Sequence, residues 1–547
     1  MALNGGRVEN EDGTYTLGGT VSLAGANTFE TTYSGKNLTF SNTISGAGNL
    51  TIIGGGNTTL SGANTYTGST TVNGTRLILT NSNTTSGILL SNNGELRLRT
   101  ISLSSTQNIT GTGNVTKDIS FFGGSTIGGT NNTYTGTTIV NIDRFTLATG
   151  GVINGTSSIS VLGQFSARFE NLGSVTTPGA VTVNGSSSAS DGRFDNGNGT
   201  AAASLTAASI TLQSSFIANA ANPAHGGEFN NKLGSTVALG SGAITVNGQG
   251  NSLAGGIAAA GSTFSNAGTV TAGSVTLNSS STANTASNKG GTYSQTAGST
   301  TLTGALTLAP NGGIGAAGTA GNDAAFNLSG GSFTANSIAV NAGTLNATGG
   351  TLNASSITVG SGAAFNAAGT AVVTGAVTMA NGSTLTGNGG TFNSSVTISG
   401  SHTPGASPGL QTFSNGLAYT ATAALGIELV GDTLGLRGTD YDALDVTGGT
   451  LSIDSSATLS LAATGIDYSA GVWNIDRSFI LIAAGGATYS GSLFTLDTTG
   501  AGLFAPEGTW SLSSGSGDVV LNWTAVPEPR AALLGSLGLL MLLRRRR

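Results

Sequence analysis

The sequence predicts an all-β solenoid, followed by a β-rich C-terminal module and a short apolar helix. Three observations carry that prediction. The first is composition: of 547 residues 90 are Gly and only 8% are charged, against about 25% charged in ordinary globular chains. Strong helix formers such as Lys, Glu, Gln and Arg are rare, whereas Thr, Val and Asn abound. No Gly-X-Y period runs through the chain, which excludes collagen, and a mean hydropathy of +0.14 is too apolar for a solvated coil.

The second observation is a recurring strand. Ser158-Ile159-Ser160-Val161, Ala180-Val181-Thr182-Val183, Ser209-Ile210-Thr211-Leu212, Ala243-Ile244-Thr245-Val246 and Ser274-Val275-Thr276-Leu277 share one pattern. It returns at Leu306, Ile338, Ile357, Val377 and Val396, with final steps of 19, 20 and 19 residues. Earlier steps are mostly 29 to 34 residues, lengthened by Gly/Ala-rich inserts. Apolar second and fourth positions put two side chains on one face and leave the other polar.

The third is a partner position. Phe169, Phe264, Tyr293, Phe326, Leu345 and Phe365 lie 11 to 13 residues before the matching strand residue. Two strands per coil are expected, with Gly and Asn at the corners and like side chains stacked on like. About fifteen coils at ~4.8 Å each would extend ~70 Å. Near residue 400 composition shifts: HTPGASPGL is a turn-rich break, and all three Trp (Trp473, Trp510, Trp523) follow it. The expected organisation is 1–150 and 151–411 solenoid, 412–525 a β-rich end module, and 526–547 a separate tail.

Residues 44–79, ISGAGNLTIIGGGNTTLSGANTYTGSTTVNGTRLIL, resemble the autotransporter-associated β-strand repeat. Gly46-Ala47-Gly48-Asn49-Leu50, Leu60 to Gly68 and Thr70-Thr71-Val72 carry the likeness, with a weaker copy in ITGTGNVTKDISFFGGSTIGGTNNTYTGTTIV. That family implies right-handed parallel β-helix stalks on bacterial surfaces.

The tail reads Val526-Pro527-Glu528-Pro529, then an apolar run containing Ala531, Leu533, Leu534, Leu537, Leu539, Leu540, Leu542 and Leu543, then Arg544, Arg545, Arg546 and Arg547. Thirteen helical residues reach ~20 Å, against ~30 Å of bilayer hydrocarbon. Such a segment holds a chain in a membrane briefly but anchors it poorly, with its basic end cytoplasmic. Motif, helix and Arg cluster together resemble the PEP-CTERM sorting signal of Gram-negative bacteria. The resemblance implies cleavage near the motif by an exosortase, transient inner-membrane contact, and delivery to the cell surface or exopolysaccharide matrix. Export requires a leader, and MALNGGRVENEDGTYTL has no basic-apolar-small signal; a chain lacking its true start is expected.

Several chemistries find no support. The formal charge is −6, and −10 without the tail, so nothing basic remains for nucleic acid. There is no Cys. Gly405-Ala406-Ser407-Pro408-Gly409 fits G-x-S-x-G, but Pro408 lacks the N–H a nucleophile elbow needs. His225 and His402 read as solvated loop residues without partners. Asp and Glu are thin in the repeats, with no acidic residue recurring at a fixed coil position. Weak calcium candidates are Asp440, Asp442 and Asp445, near Asp432, and the turn holding Asp191, Asp195, Asn196 and Asn198. No cofactor is expected. The reading is a non-enzymatic, exported structural protein whose partners are the exosortase and matrix or cell-surface glycans. The alternatives are an adhesin using the inserts as a glycan-binding ridge, and a polysaccharide-active β-helix enzyme.

Overall fold

The structure is a computed structural model. It describes the whole chain except residues 119–122, 164–165, 186–191, 215–225, 249–260, 281–289, 311–323, 406–407, 433–434, 506, 527–528 and 545–547. It is nearly all β, built from long parallel sheets in a solenoid-like arrangement, with one short helix near the C-terminus. Two compact units divide it, Met1–Asn336 and Ser337–Arg547.

In the first unit most coils carry three strands where the sequence suggested two. Arg168–Asn171, Ser174–Thr176 and Ala180–Asn184 make one such coil. The extra strand is only three residues long and holds a single buried side chain, Val175. A pattern search keyed on pairs of apolar residues passes over it. All three ladders are parallel and in register: Phe169 on Phe194, Val175 on Leu205, Val181 on Ile210.

Register turns like residues into columns. Phe145, Phe169, Phe194, Phe229, Phe264, Tyr293 and Phe326 are all 0% exposed. Their ring centroids are 4.8 to 5.6 Å apart. That separation is close to the ~4.8 Å between paired strands, so the rings meet wherever the backbone stacks, face to face from Phe169 to Phe326 and edge-on between Phe145 and Phe169. Phe194 and Phe229 belong to this column although their distances to the next recurring strand are 16 and 15 residues; inserts at the intervening corner stretch the spacing.

Beside the rings runs a buried amide column. The Nδ2 of Asn171 donates to Asn196 Oδ1 (2.8 Å), that of Asn196 to Asn231 Oδ1 (2.9 Å) and that of Asn231 to Asn266 Oδ1 (2.9 Å). The same nitrogens donate to the carbonyls of Ser204, Thr236 and Thr269. Corner peptides turn away from the ladders and lose strand partners, and these amides supply replacements, since a buried unpaired polar group costs ~1–3 kcal/mol.

The second unit repeats the scheme. Ile338 pairs with Ile357, Ile357 with Val377 and Val377 with Val396. Parallel pairing continues past residue 412: Leu417 on Leu451, Ala424 on Thr458 and Thr458 on Thr495. Beyond it Arg477–Ala483, Asp518–Ala525 and Gly508–Gly515 pair antiparallel. Trp473, Trp510 and Trp523 pack there with Tyr468, their centroids 5.0 to 6.4 Å apart. The Trp523 indole N–H donates to the Trp473 carbonyl at 2.8 Å. The helix spans Pro529–Arg544.

Candidate functional site

The repeat motifs in the first unit build two copies of one corner. Asn64 Oδ1 accepts from the Ile44 N–H at 3.0 Å, and Asn132 Oδ1 from the Ile109 N–H at 2.9 Å. Tyr66 Oη lies 2.7 Å from Thr70 Oγ1, which lies 3.0 Å from Thr85 Oγ1. Tyr134, Thr138 and Thr156 repeat this chain at 2.7 and 3.0 Å. Both tyrosines are 0% exposed, and burial raises both pKa values. A Cβ on Gly68 would lie 2.2 Å from the Gly48 carbonyl oxygen, and one on Gly136 would lie 2.2 Å from that of Gly113. The second copy, degenerate in sequence, rebuilds the same Asn–Tyr–Thr corner. These motif residues close corners; their hydroxyls bond one another and backbone, and Asn132 Nδ2 donates to the Gly129 and Val152 carbonyls, whereas Asn64 Nδ2 is buried without an acceptor.

Acidic residues do recur at a fixed coil position, contrary to the sequence reading. Glu170 and Asp195 are register partners, flanked by the arginine column Arg144, Arg168, Arg193. Arg168 contacts Glu170 at 3.2 Å and Asp195 at 2.5 Å; Arg193 contacts Asp195 at 2.8 Å. An earlier set joins Arg76, Glu95, Arg97, Asp118 and Arg99. Each carboxylate sits between guanidiniums, which neutralise it and stitch successive coils. The visible signal was a shared tetrapeptide, Arg168-Phe169-Glu170-Asn171 and Arg193-Phe194-Asp195-Asn196. It falls on the ladder whose spacing the inserts disturb.

His402 is also corrected: it is a strand residue, 0% exposed. Its Nδ1 lies 2.6 Å from Tyr419 Oη and its Nε2 lies 2.7 Å from Gln411 Oε1. Gln411 donates its own N–H groups to the Ala367 and Thr386 carbonyls, so its oxygen is left to accept. His402 therefore carries its proton on Nε2, and Nδ1 accepts from the tyrosine. Burial pushes its pKa down to about 4, which keeps the ring neutral. His225 and Ser407 lie outside the described residues.

The calcium candidates do not converge. Asp440 Oδ2 accepts from the Gly435 and Leu436 N–H groups. Buried Asp442 accepts from the Gly409 and Glu428 N–H groups at 2.7 and 2.8 Å, and Asp445 is paired with Arg437 at 2.7 Å. Burial nevertheless pushes the Asp442 carboxyl up to about 6. Asp432 accepts from the Trp473 indole N–H. Asp195 and Asn196 are committed to the columns above, and Asn198 caps its own turn; Asp191 lies outside the described residues. Among the described residues no group of acidic or imidazole side chains could hold a metal ion.

In the tail, Pro527, Glu528 and Arg545, Arg546 and Arg547 lie outside the described residues. Val526 is 49% exposed, and Leu537, Leu539, Leu540, Leu542 and Leu543 are 51 to 68% exposed. Pro529 starts the helix and Arg544 ends it, with Ala531, Leu533 and Leu534 within it. Among the described residues no helix is long and apolar enough to cross a membrane.

No family model and no curated protein matches the chain.

Proposed function

We propose that the chain is an exported, non-enzymatic structural protein of the bacterial cell surface or exopolysaccharide matrix, a right-handed parallel β-helix addressed by a removable C-terminal signal. The carrying observation is the ordered tail: Val526-Pro527-Glu528-Pro529, an apolar helix, and a terminal Arg cluster. Sixteen helical residues reach ~24 Å, short of the ~30 Å hydrocarbon layer, which suits temporary membrane retention. Leu537, Leu539, Leu540, Leu542 and Leu543 of this helix are exposed and cover no core. A passive role is supported by the aromatic column, whose rings are packed on one another and withheld from ligands.

The test is intact mass and fractionation from native cells with and without the exosortase. Loss of roughly the last twenty residues with release to the surface or matrix only when the peptidase is present supports this reading. An uncleaved, membrane-lodged chain refutes it.

One observation favours the adhesin reading as the alternative. In sequence the Gly/Ala-rich inserts of the longer repeats each lie between a recurring strand and the next aromatic position. They follow the third-ladder strands Ser209–Gln213, Ala243–Val246, Ser274–Asn278 and Ala305–Ala309. Deleting two of these stretches and measuring cell adhesion to a glycan-coated surface separates the readings; unchanged adhesion rejects the ridge.

A further inference from the structure

The coil built from Ala2–Asn4, Arg7–Asn10 and Thr14–Leu17 stands at the end of three parallel ladders of the first unit. Among the described residues each of these strands pairs on one side only, with Val21–Ala24, Ala26–Thr31 and Asn37–Phe40. The core is open at this face. Leu3, Val8, Tyr15 and Leu17 occupy inward columns, yet Tyr15 is 51% exposed and the others are only half-buried. Their register partners Leu23, Phe29, Leu38 and Phe40 are at most 2% exposed. In the second unit, by contrast, Arg477–Ala483 is covered by the antiparallel strand Asp518–Ala525.

The middle strand of the open face carries its own complement. The Gly6 and Asn10 carbonyls accept from the Thr28 and Thr32 N–H groups, and backbone groups alternate sides along a strand. Gly6, Val8 and Asn10 therefore bond to the next coil, and the N–H and C=O groups of Arg7 and Glu9 lie on the free edge. An antiparallel copy of Arg7-Val8-Glu9 centred on Val8 sets Arg7 opposite Glu9 twice. Both are then hydrogen-bonded pairs with opposite charges directly across the ladder. A parallel copy in register would instead set like charge on like. The Arg7 and Glu9 side chains are 51% and 33% exposed. Arg7 already contacts Glu9 and Glu30 of its own chain, and its five N–H donors suffice for one more carboxylate.

We propose that this coil is the contact face of a head-to-head dimer with a second copy of the chain, related by a two-fold axis through Val8. Facing copies run around the coil in opposite senses, so the same axis sets Ala2–Asn4 against Thr14–Leu17 of the second copy. The contact covers Leu3, Val8, Tyr15 and Leu17 and pairs an edge that otherwise invites indiscriminate strand addition. An isologous interface of this kind closes at two copies. The proposal goes beyond the sorting reading and does not depend on the tail.

The test is sedimentation equilibrium of the full chain and of the variants Arg7→Glu and Glu9→Arg. The wild type is expected to dimerise, and each reversal to weaken the dimer by about tenfold or more, because like charges then face each other. An equimolar mixture of the two variants restores both opposite-charge pairs and is expected to dimerise as tightly as the wild type. Unchanged far-UV circular dichroism confirms that the variants fold. A monomeric wild type, a dimer indifferent to either reversal (as one held by the tail would be), or a mixture that stays monomeric overturns the proposal.

Discussion

His402 gives the second unit a calculable response to acid. A histidine titrates near 6.5 when unfolded and at about 4 in the buried site. Between those values the unfolded chain binds the extra proton, so stability falls as pH falls. Its contribution is complete above pH ~6.5, shrinks by ~2 kcal/mol between pH 7 and 5, and by ~3 kcal/mol by pH 4. Asp442 works the other way. Its folded pKa of about 6 lies above the unfolded value, so it adds stability as pH falls through the same window, and the wild type alone would show a muted net slope. The His402 term is isolated by comparison with His402→Gln, in which Asp442 titrates unchanged. The variant leaves Tyr419 and Gln411 with impaired partners and is expected to be ~2–3 kcal/mol less stable at pH 7. That deficit should narrow by ~2 kcal/mol at pH 5. Urea unfolding followed by tryptophan fluorescence measures it within the right unit, because Trp473, Trp510 and Trp523 all lie there. A deficit that stays constant from pH 7 to 5 would refute the buried, neutral imidazole.

The other predictions concern the columns, the corners and the tail. Phe229 sits between Phe194 and Phe264, at 4.9 and 4.8 Å; Phe229→Ala should cost ~3–5 kcal/mol, read from the urea midpoint, and Phe229→Leu should cost clearly less. Asp195→Ala leaves Arg168 and Arg193 facing each other across a buried gap and should lower stability by ~2 kcal/mol with little salt dependence; full recovery in high salt would show that the ladder is only a surface feature. Gly68→Ala and Gly136→Ala should each strain their corners and accelerate amide exchange locally, whereas Gly19→Ala, with nothing within 4 Å of its added Cβ, should be silent. Truncation after Val526 should leave thermal melting of the β units unchanged, and a shift of several degrees would mean that the helix packs on them.

The recurring Ile-Thr-Val strand was legible because its residues form an uninterrupted tetrapeptide with strict alternation, and its register partners are the ones its spacing implies. The three-residue ladder containing Val175 and Leu205 was not, since one buried residue per strand sets no period. The arginine–carboxylate column and His402 were hidden for a related reason: coil-to-coil neighbours such as Glu170 and Asp195 are 25 residues apart in sequence, and their spacing changes with each insert. Tyr419 and Gln411 flank no motif that would assign His402 to a core. Register, not local pattern, creates these sites, and register is fixed only when all three ladders close together.

The charge pattern then follows from stacking. An in-register coil places each side chain against its own kind every ~4.8 Å, which favours aromatic rings and amides but would pile like charges on one another. Arg144, Arg168 and Arg193 are such a pile, tolerable because Glu170 and Asp195 are interleaved with them. Most outward positions avoid the problem by carrying Ser or Thr, as in the column Thr182, Thr211, Thr245, Thr276 and Thr307. A chain with 8% charged residues is thus what a parallel stack of this kind permits. Glu11 and Asp12, neither ion-paired among the described residues, stand out against that rule, and so do the exposed Tyr15 and Tyr33.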